Sequence, residues 1–254
     1  MAVSDMQIKT KGIVLKVQDY NENDKLLSVL TEDRGVIYAY ASGARRMKSA
    51  LSTVSSMLCY GEFVFFKNRD KYTIDSAESE RLFFGIRKDL DSLAYASYFC
   101  ELCLSAANPE EDAKDIQRLL LNTLHMLENK KVHPAMLKAI FELRLMSIIG
   151  YAPNLIACSE CGEFEKAAYW FDTQTGSATC TDCRPNGANG EILISKAAFL
   201  GARHIVYAPM EQLFSFRIGE SSLIELSLAA EKYVITQLDK NFSTLEFLNS
   251  IRTF

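Results

Sequence analysis

Four cysteines offer the clearest chemistry in the sequence. Cys158-Ser-Glu-Cys161 is followed, after eighteen residues, by Cys180-Thr-Asp-Cys183, the C-x₂-C-x₁₅₋₂₀-C-x₂-C spacing of a zinc site. Two residues between cysteines form a tight knuckle that aims both thiolates at one ion. Two knuckles complete a tetrahedron with a Zn–S distance of about 2.3 Å. Gly162 lets the backbone turn in close behind the first pair. Ala167–Phe171 and Ser177–Cys180, joined across Thr173-Gln174-Thr175-Gly176, are expected to form a hairpin that carries the second knuckle back to the first. Four thiolates fill the coordination sphere and leave no place for water or substrate, so one Zn²⁺ per chain is expected in a structural role. Vacant ligands or redox disulfides are the alternative.

A second cluster is cationic. Ser42-Gly-Ala-Arg45-Arg46-Met-Lys48-Ser49 holds three cations in four positions, with no acid until Glu62. Arginine's forked donors match phosphate oxygens, and small neighbours let a backbone approach closely. Lys67, Arg69 and Lys71, or Lys9, Lys11 and Lys16, extend this patch if they share its face. The competing reading is a solvated loop. Residues 1–80 carry 11 basic and 11 acidic side chains, so the cluster is local. Tyr20, Tyr38 and Phe66 can stack on bases or belong to a core. The whole chain has 28 Lys and Arg against 32 Asp and Glu, a net charge of −4 that excludes a global field drawing it to nucleic acid or anionic membrane.

Catalytic signatures are missing. No G-x-G-x-x-G follows a strand, and there is no G-x-x-x-x-G-K-[ST], H-E-x-x-H or G-x-S-x-G. His125, His133 and His204 are scattered; His133 precedes Pro134 at a helix start, where it reads as a cap. Cys100 and Cys103 fall inside a helical pattern and read as buried small hydrophobes, as Cys59 does in a strand. No nucleophile, base and orienter assemble, so an enzyme is not expected.

These residues must be positioned by two kinds of element. Ile13–Val17 and Val36–Tyr40 alternate with period 2, and Leu26–Leu30, Leu58–Phe66 and Lys71–Ala77 add three short segments, so the first 80 residues read as five strands. Turn formers separate them: Asn21-Glu-Asn-Asp24, Asp33-Arg-Gly35 and Asn68-Arg-Asp70. Five short strands suit a closed barrel, which leaves no unprotected edge. From about residue 85 the period becomes helical over Leu90–Leu102, Ile116–Leu127, Leu137–Ile148, Ser195–Val206, Ser221–Leu238 and Thr244–Ile251. Residues 155–190, poor in aliphatics, interrupt these helices with the cysteine insert. The fold class is α+β and multidomain: a β-barrel over 1–80, then an α-helical domain over 81–254 with its Cys₄ insert at about 155–190. No apolar run reaches the roughly 18–20 residues of a membrane span. Met1-Ala-Val-Ser-Asp5 lacks a signal peptide's basic and apolar regions. A cytoplasmic location follows as an expectation.

The order of these motifs resembles a known family. Lys11-Gly-Ile-Val-Leu-Lys16, Tyr20-Asn-Glu-Asn-Asp-Lys25, Thr31-Glu-Asp-Arg-Gly35, Gly43-Ala-Arg-Arg-Met-Lys-Ser49 and Gly150-Tyr-Ala-Pro-Asn154 leading into the cysteines are similar to the RecO family of bacterial recombination mediators. The resemblance spans essentially the whole chain; Met47 departs from the proline it implies. It implies an oligonucleotide/oligosaccharide-binding (OB) barrel, binding of single- and double-stranded DNA, and strand annealing. It further implies action with RecR to load RecA on DNA coated by single-strand-binding protein, in association with the nucleoid. DNA contacts are then expected at Arg45, Arg46 and Lys48, with Lys11, Lys16, Arg34, Lys67, Arg69 and Lys71. An acidic tail of single-strand-binding protein needs an apolar groove edged by cations, expected near Arg118, Lys130, Lys131 and Arg144, beside Leu121, Leu124 and Phe141. Against this stand a zinc-ribbon-stapled nucleotide-dependent enzyme and a protein–protein adaptor without DNA affinity.

Overall fold

A computed structural model describes residues 6–69 and 71–251. Met1–Asp5, read above for a signal peptide, and Asp70, assigned to a turn, lie outside the described residues. The chain divides into two compact units: residues up to Glu128 together with those from Glu246 on, and Asn129–Leu245.

The first unit opens with five strands: β1 (Met6–Asp19), β2 (Lys25–Thr31), β3 (Val36–Ala41), β4 (Cys59–Asn68) and β5 (Lys71–Leu82). They close a barrel in the order β1-β2-β3-β5-β4, with β3 and β5 parallel and the other neighbours antiparallel. The expected strands are all present, and β1 and β5 run longer than their alternating cores. The reason is closure. β1 pairs with β4 over Met6–Ile13 and with β2 over Gly12–Asp19, serving both sides of the barrel. The crossover falls at Gly12, paired with Gly61, where side chains have no room: a Cβ on Gly61 would lie 2.0 Å from the Glu78 carbonyl oxygen and one on Gly12 would lie 2.6 Å from Val29. Register shifts in β1, between Val14 and Lys16, and in the β4–β5 ladder supply the curvature.

Period 2 then sorts the side chains. Val14, Leu27, Val29, Ile37, Ala39, Phe63, Phe65 and Ile74 fill the barrel, while Tyr38 and Tyr40 face outward. The long β3–β4 connection, residues 42–58, sends Ala44, Leu51 and Val54 back into that core. The Leu58 N–H donates to the Val14 carbonyl.

Helices α1 (Phe84–Arg87), α2 (Leu90–Ala106) and α3 (Lys114–Glu128) follow in the same unit. Asp89 caps α2 by accepting from the Ser92 N–H and hydroxyl. Buried Gln117 of α3 donates to the carbonyls of Leu30 and Lys11, which docks the helix on the barrel. The α2–α3 connection is tied to the β2–β3 turn: the Glu110 N–H donates to Arg34 and that of Ala113 to Glu32. Gly35 (φ +58°) meets it so closely that a Cβ would lie 1.8 Å from the Asn108 carbonyl oxygen.

The second unit contains α4 (Pro134–Ile148), β6 (Ala168–Asp172), β7 (Ala178–Cys180), β8 (Glu191–Ser195), α5 (Lys196–Tyr207) and α6 (Glu220–Leu238). Helix α7 (Ser243–Ile251) closes the order. His133 caps α4 by accepting from Ala135, with Pro134 in the first turn. The sheet runs β7-β6-β8. Its third strand lies just beyond the insert drawn from composition and adds to the expected hairpin. Tyr169 and Phe171 of β6 face inward, Tyr169 stacking on Phe199 of α5 at 3.9 Å. Fully buried Lys138 of α4 pairs with Glu142 and with Glu231 of α6, both at 2.8 Å. Cys100, Cys103 and Cys59 are buried, as expected of core thiols, and burial pushes Cys100 up to about 12 and Cys59 up to about 11. Among the described residues, no helix is long and apolar enough to cross a membrane.

Candidate metal centre and nucleic-acid interface

The four cysteines converge. β6 and β7 pair in register, Tyr169 opposite Cys180 and Phe171 opposite Ala178, so the hairpin ends at Cys180. Its turn is held by Asp172, which accepts from the Gln174 N–H and the Thr175 hydroxyl, both at 2.8 Å. The first knuckle is anchored to β7: the Ser159 N–H donates to Ala178, and the hydroxyls of Ser159 and Thr179 lie 2.8 Å apart. Within the knuckle, the Gly162 N–H donates to Cys158.

The sulfurs of Cys158, Cys161, Cys180 and Cys183 all lie within 4.8 Å of one another, and those of Cys161 and Cys180 are 3.8 Å apart. A Zn–S distance of about 2.3 Å gives a tetrahedral edge of about 3.8 Å, so the cluster has the size of a four-thiolate site. Burial alone would raise the Cys158 thiol, but N–H groups of Cys180, Cys161 and Glu160 outweigh it and hold it at about 6. Cys183 is pushed up to about 12 by the sulfurs of Cys180 and Cys161. Four adjacent thiols cannot all ionise alone; a dication removes that conflict, and the donor set fits one. Arg184 braces the knuckles, reaching Glu160 at 3.0 Å and Glu191 at 2.5 Å. The four cysteines can therefore hold a metal ion.

The second candidate lies where the β1–β2 connection, residues 20–24, meets the β3–β4 connection. Asp24 accepts from the Gly43 N–H at 2.7 Å; that bond, with the Asn21 amide, keeps its carboxyl below the usual range. Arg45 donates to the Asn21 carbonyl at 2.6 Å and pairs with Asp19 at 3.5 Å. Its guanidinium thus binds one connection to the other. Arg46 and Lys48 are exposed, and neither forms an ion pair among the described residues, nor does Lys16. Tyr20 is 56% exposed, its ring edge-on to Tyr40 at 4.7 Å, and Tyr38, two residues earlier on the same outward face of β3, is 51% exposed. In OB-fold barrels the β2–β3 face and the β1–β2 and β4–β5 connections bind oligonucleotides or oligosaccharides.

The remaining cations are placed differently. Lys9 pairs with Glu62 at 2.7 Å and Lys11 with Glu80 at 3.0 Å. Lys67 and Arg34 converge on Glu110, at 2.8 and 3.2 Å, joined by the Tyr72 hydroxyl at 2.6 Å. Those donors hold the Glu110 carboxyl at about 2. Sequence reasoning missed the partners of Glu110. It lies 43 residues from Lys67 and 76 from Arg34 along the chain, and no local pattern links them. Arg69 and Lys71 stay exposed at the β4–β5 turn.

The expected tail groove needs correction. Leu124 and Phe141 are fully buried, each in the core of its own unit, so neither lines a groove. Arg144 spends its guanidinium on the carbonyls of Val206 and Ala208. Arg118 lies on α3 in the first unit; Lys130 and Lys131 are exposed in the second.

Comparison with known proteins agrees with this architecture. Residues 6–83 match the family model "Recombination protein O N terminal" and residues 87–246 match "Recombination protein O C terminal". The chain is 35% identical over 244 residues to DNA repair protein RecO of Acetivibrio thermocellus, covering 96% of this chain and 97% of that protein. It is 32% identical over 248 residues to DNA repair protein RecO of Alkaliphilus metalliredigens, covering 97% and 100%. A five-stranded OB-like barrel, a helical remainder, a four-cysteine cluster and matches along nearly the whole length lead to one conclusion: the chain belongs to the RecO family of DNA repair proteins.

Proposed function

We propose that this chain is a recombination mediator that binds single- and double-stranded DNA through the β1–β2 and β3–β4 connections of its barrel. The observation that carries this reading is the junction of exposed Arg46 and Lys48, positioned by Arg45, with the outward Tyr20 and Tyr38 on the OB face. Cations neutralise phosphates without reading sequence, and tyrosine rings stack on bases of any identity. Lys16, Arg69 and Lys71 extend this interface. Lys11, Lys67 and Arg34 contribute less, because carboxylates already hold them.

The family resemblance supplies the later steps: strand annealing, cooperation with RecR, and loading of RecA on DNA coated by single-strand-binding protein. The acidic tail of single-strand-binding protein is a further partner that the resemblance implies, without the expected groove to receive it, in a cytoplasmic, nucleoid-associated setting. In the second unit, one Zn²⁺ held by Cys158, Cys161, Cys180 and Cys183 would be structural: the thiolates fill its coordination, and the ion would fix the hairpin against the first knuckle. Fluorescence anisotropy of labelled oligonucleotides at two salt concentrations tests the DNA reading. Affinity is expected to be indifferent to sequence and to fall as salt rises; no affinity at low salt leaves the adaptor.

A further inference from the structure

Met47 has an unusual position. It is 101% exposed, more than any other large hydrophobic side chain among the described residues. Its backbone, however, is fixed. The Arg46 N–H donates to Gly43 and the Ser49 N–H to Arg46, both at 3.0 Å, so Met47 occupies a corner of a hydrogen-bonded turn. On one side the segment is anchored by Ala44 in the barrel core and by Arg45 on the Asn21 carbonyl; on the other, by Leu51 and Val54 in the same core. Arg46 and Lys48, both exposed, flank it directly.

A side chain so exposed contributes nothing to the core, and any polar residue would serve the turn as well. What distinguishes methionine is an unbranched, polarizable chain that fills irregular apolar gaps. Cations immediately before and after it would draw the turn onto two phosphates and bring the thioether against the base stack between them. Proteins that bend or open duplexes insert such apolar wedges, methionine among them, between base steps.

We propose that Met47 is a wedge that enters the base stack, with Arg46 and Lys48 holding the flanking phosphates. The proposal rests on the DNA-binding reading and adds a mode of contact to it: the loop unstacks bases as well as neutralising charge. A wedge acts through apolar contact, so its effect separates from that of the cations. Removing charge changes the salt slope of binding, whereas removing the wedge lowers affinity equally at every salt concentration.

The test uses full-length protein and duplex oligonucleotides carrying 2-aminopurine, whose emission rises on unstacking. The wild type is expected to raise the emission at saturation. M47A should lose that rise while keeping the salt slope, and M47L, which keeps an apolar chain of similar volume, should retain it. Because Met47 is fully exposed, all three proteins should unfold at the same denaturant concentration. Binding by M47A with the full wild-type emission rise would overturn the wedge and leave DNA binding intact. Absence of binding by the wild type at low salt would overturn both.

Discussion

For single side chains, chemistry is decided by which partner reaches each charged or ligating atom. The cysteine quartet was legible because C-x-x-C spacing is itself a geometric statement: two residues between thiols suffice to aim both at one point. Replacing Cys180, buried at the end of β7, with serine should lower bound zinc from one ion per chain towards none and loosen the hairpin, as read by a colorimetric metal assay and by protease sensitivity. Retention of stoichiometric zinc by C180S would exclude the four-thiolate site. The role of Glu110 was not legible, since its partners are remote in sequence. Its carboxyl is held at about 2 against an ordinary 4.5 by Lys67, Tyr72 and then Arg34. The ionised form is therefore the one the fold favours, so its stabilising contribution is complete above pH 4.5 and is lost as pH falls towards 2. E110Q lacks that dependence. The stability gap between wild type and E110Q, measured by denaturant titration, should narrow across this window, with solvent exposure keeping it small.

Among strands and helices, alternation and helical period located β1–β5 and α2–α7; the period is cleanest where one face is buried, as in β4 and α3, and weakest in β2 and α4, which are buried on more than one face. Strand β8 escaped because its five residues run directly into α5, whose N-cap is Ser195 itself. The packing of α4 on α6 turns on a feature that apolar patterning hides. Burial alone would lower Lys138, but the carboxylates of Glu142 and Glu231 outweigh it and hold the ammonium above its ordinary range. Removing one member leaves a buried charge uncompensated, which costs roughly 3–5 kcal/mol. K138M should show a loss of that size in chemical denaturation, while K138M combined with E142L should recover much of it. A K138M protein as stable as the wild type would show that the triad is not a buried ion pair in solution.

Over the molecule as a whole, net charge misleads. A chain of charge −4 has no field that recruits DNA, and many of the barrel's own cations are balanced. Lys9 answers to Glu62 and Lys11 to Glu80, while Arg34 and Lys67 share Glu110. What remains in the cationic turn is Arg46 and Lys48, while Arg45 is held by Asp19 and the Asn21 carbonyl; Lys16, Arg69 and Lys71 are exposed as well. The run of cations was visible in the sequence. Which of them stay uncommitted was not, because that depends on carboxylates delivered by other strands and by the α2–α3 connection.

Whether this turn contacts DNA phosphates is decided by the salt dependence of binding. Each neutralised phosphate contributes a slope in log K against log[salt] of about −0.9 on duplex and about −0.7 on single strands. The anisotropy of labelled oligonucleotides, titrated with wild type and with the R45A/R46A/K48A variant across a salt series, should show the slope flatten by roughly 2 units in the variant, with the greatest loss of affinity at low salt. Zinc content should be unchanged, since the cysteines belong to the other compact unit. A triple variant that keeps both the affinity and the salt slope of the wild type would show instead that the turn is merely solvated.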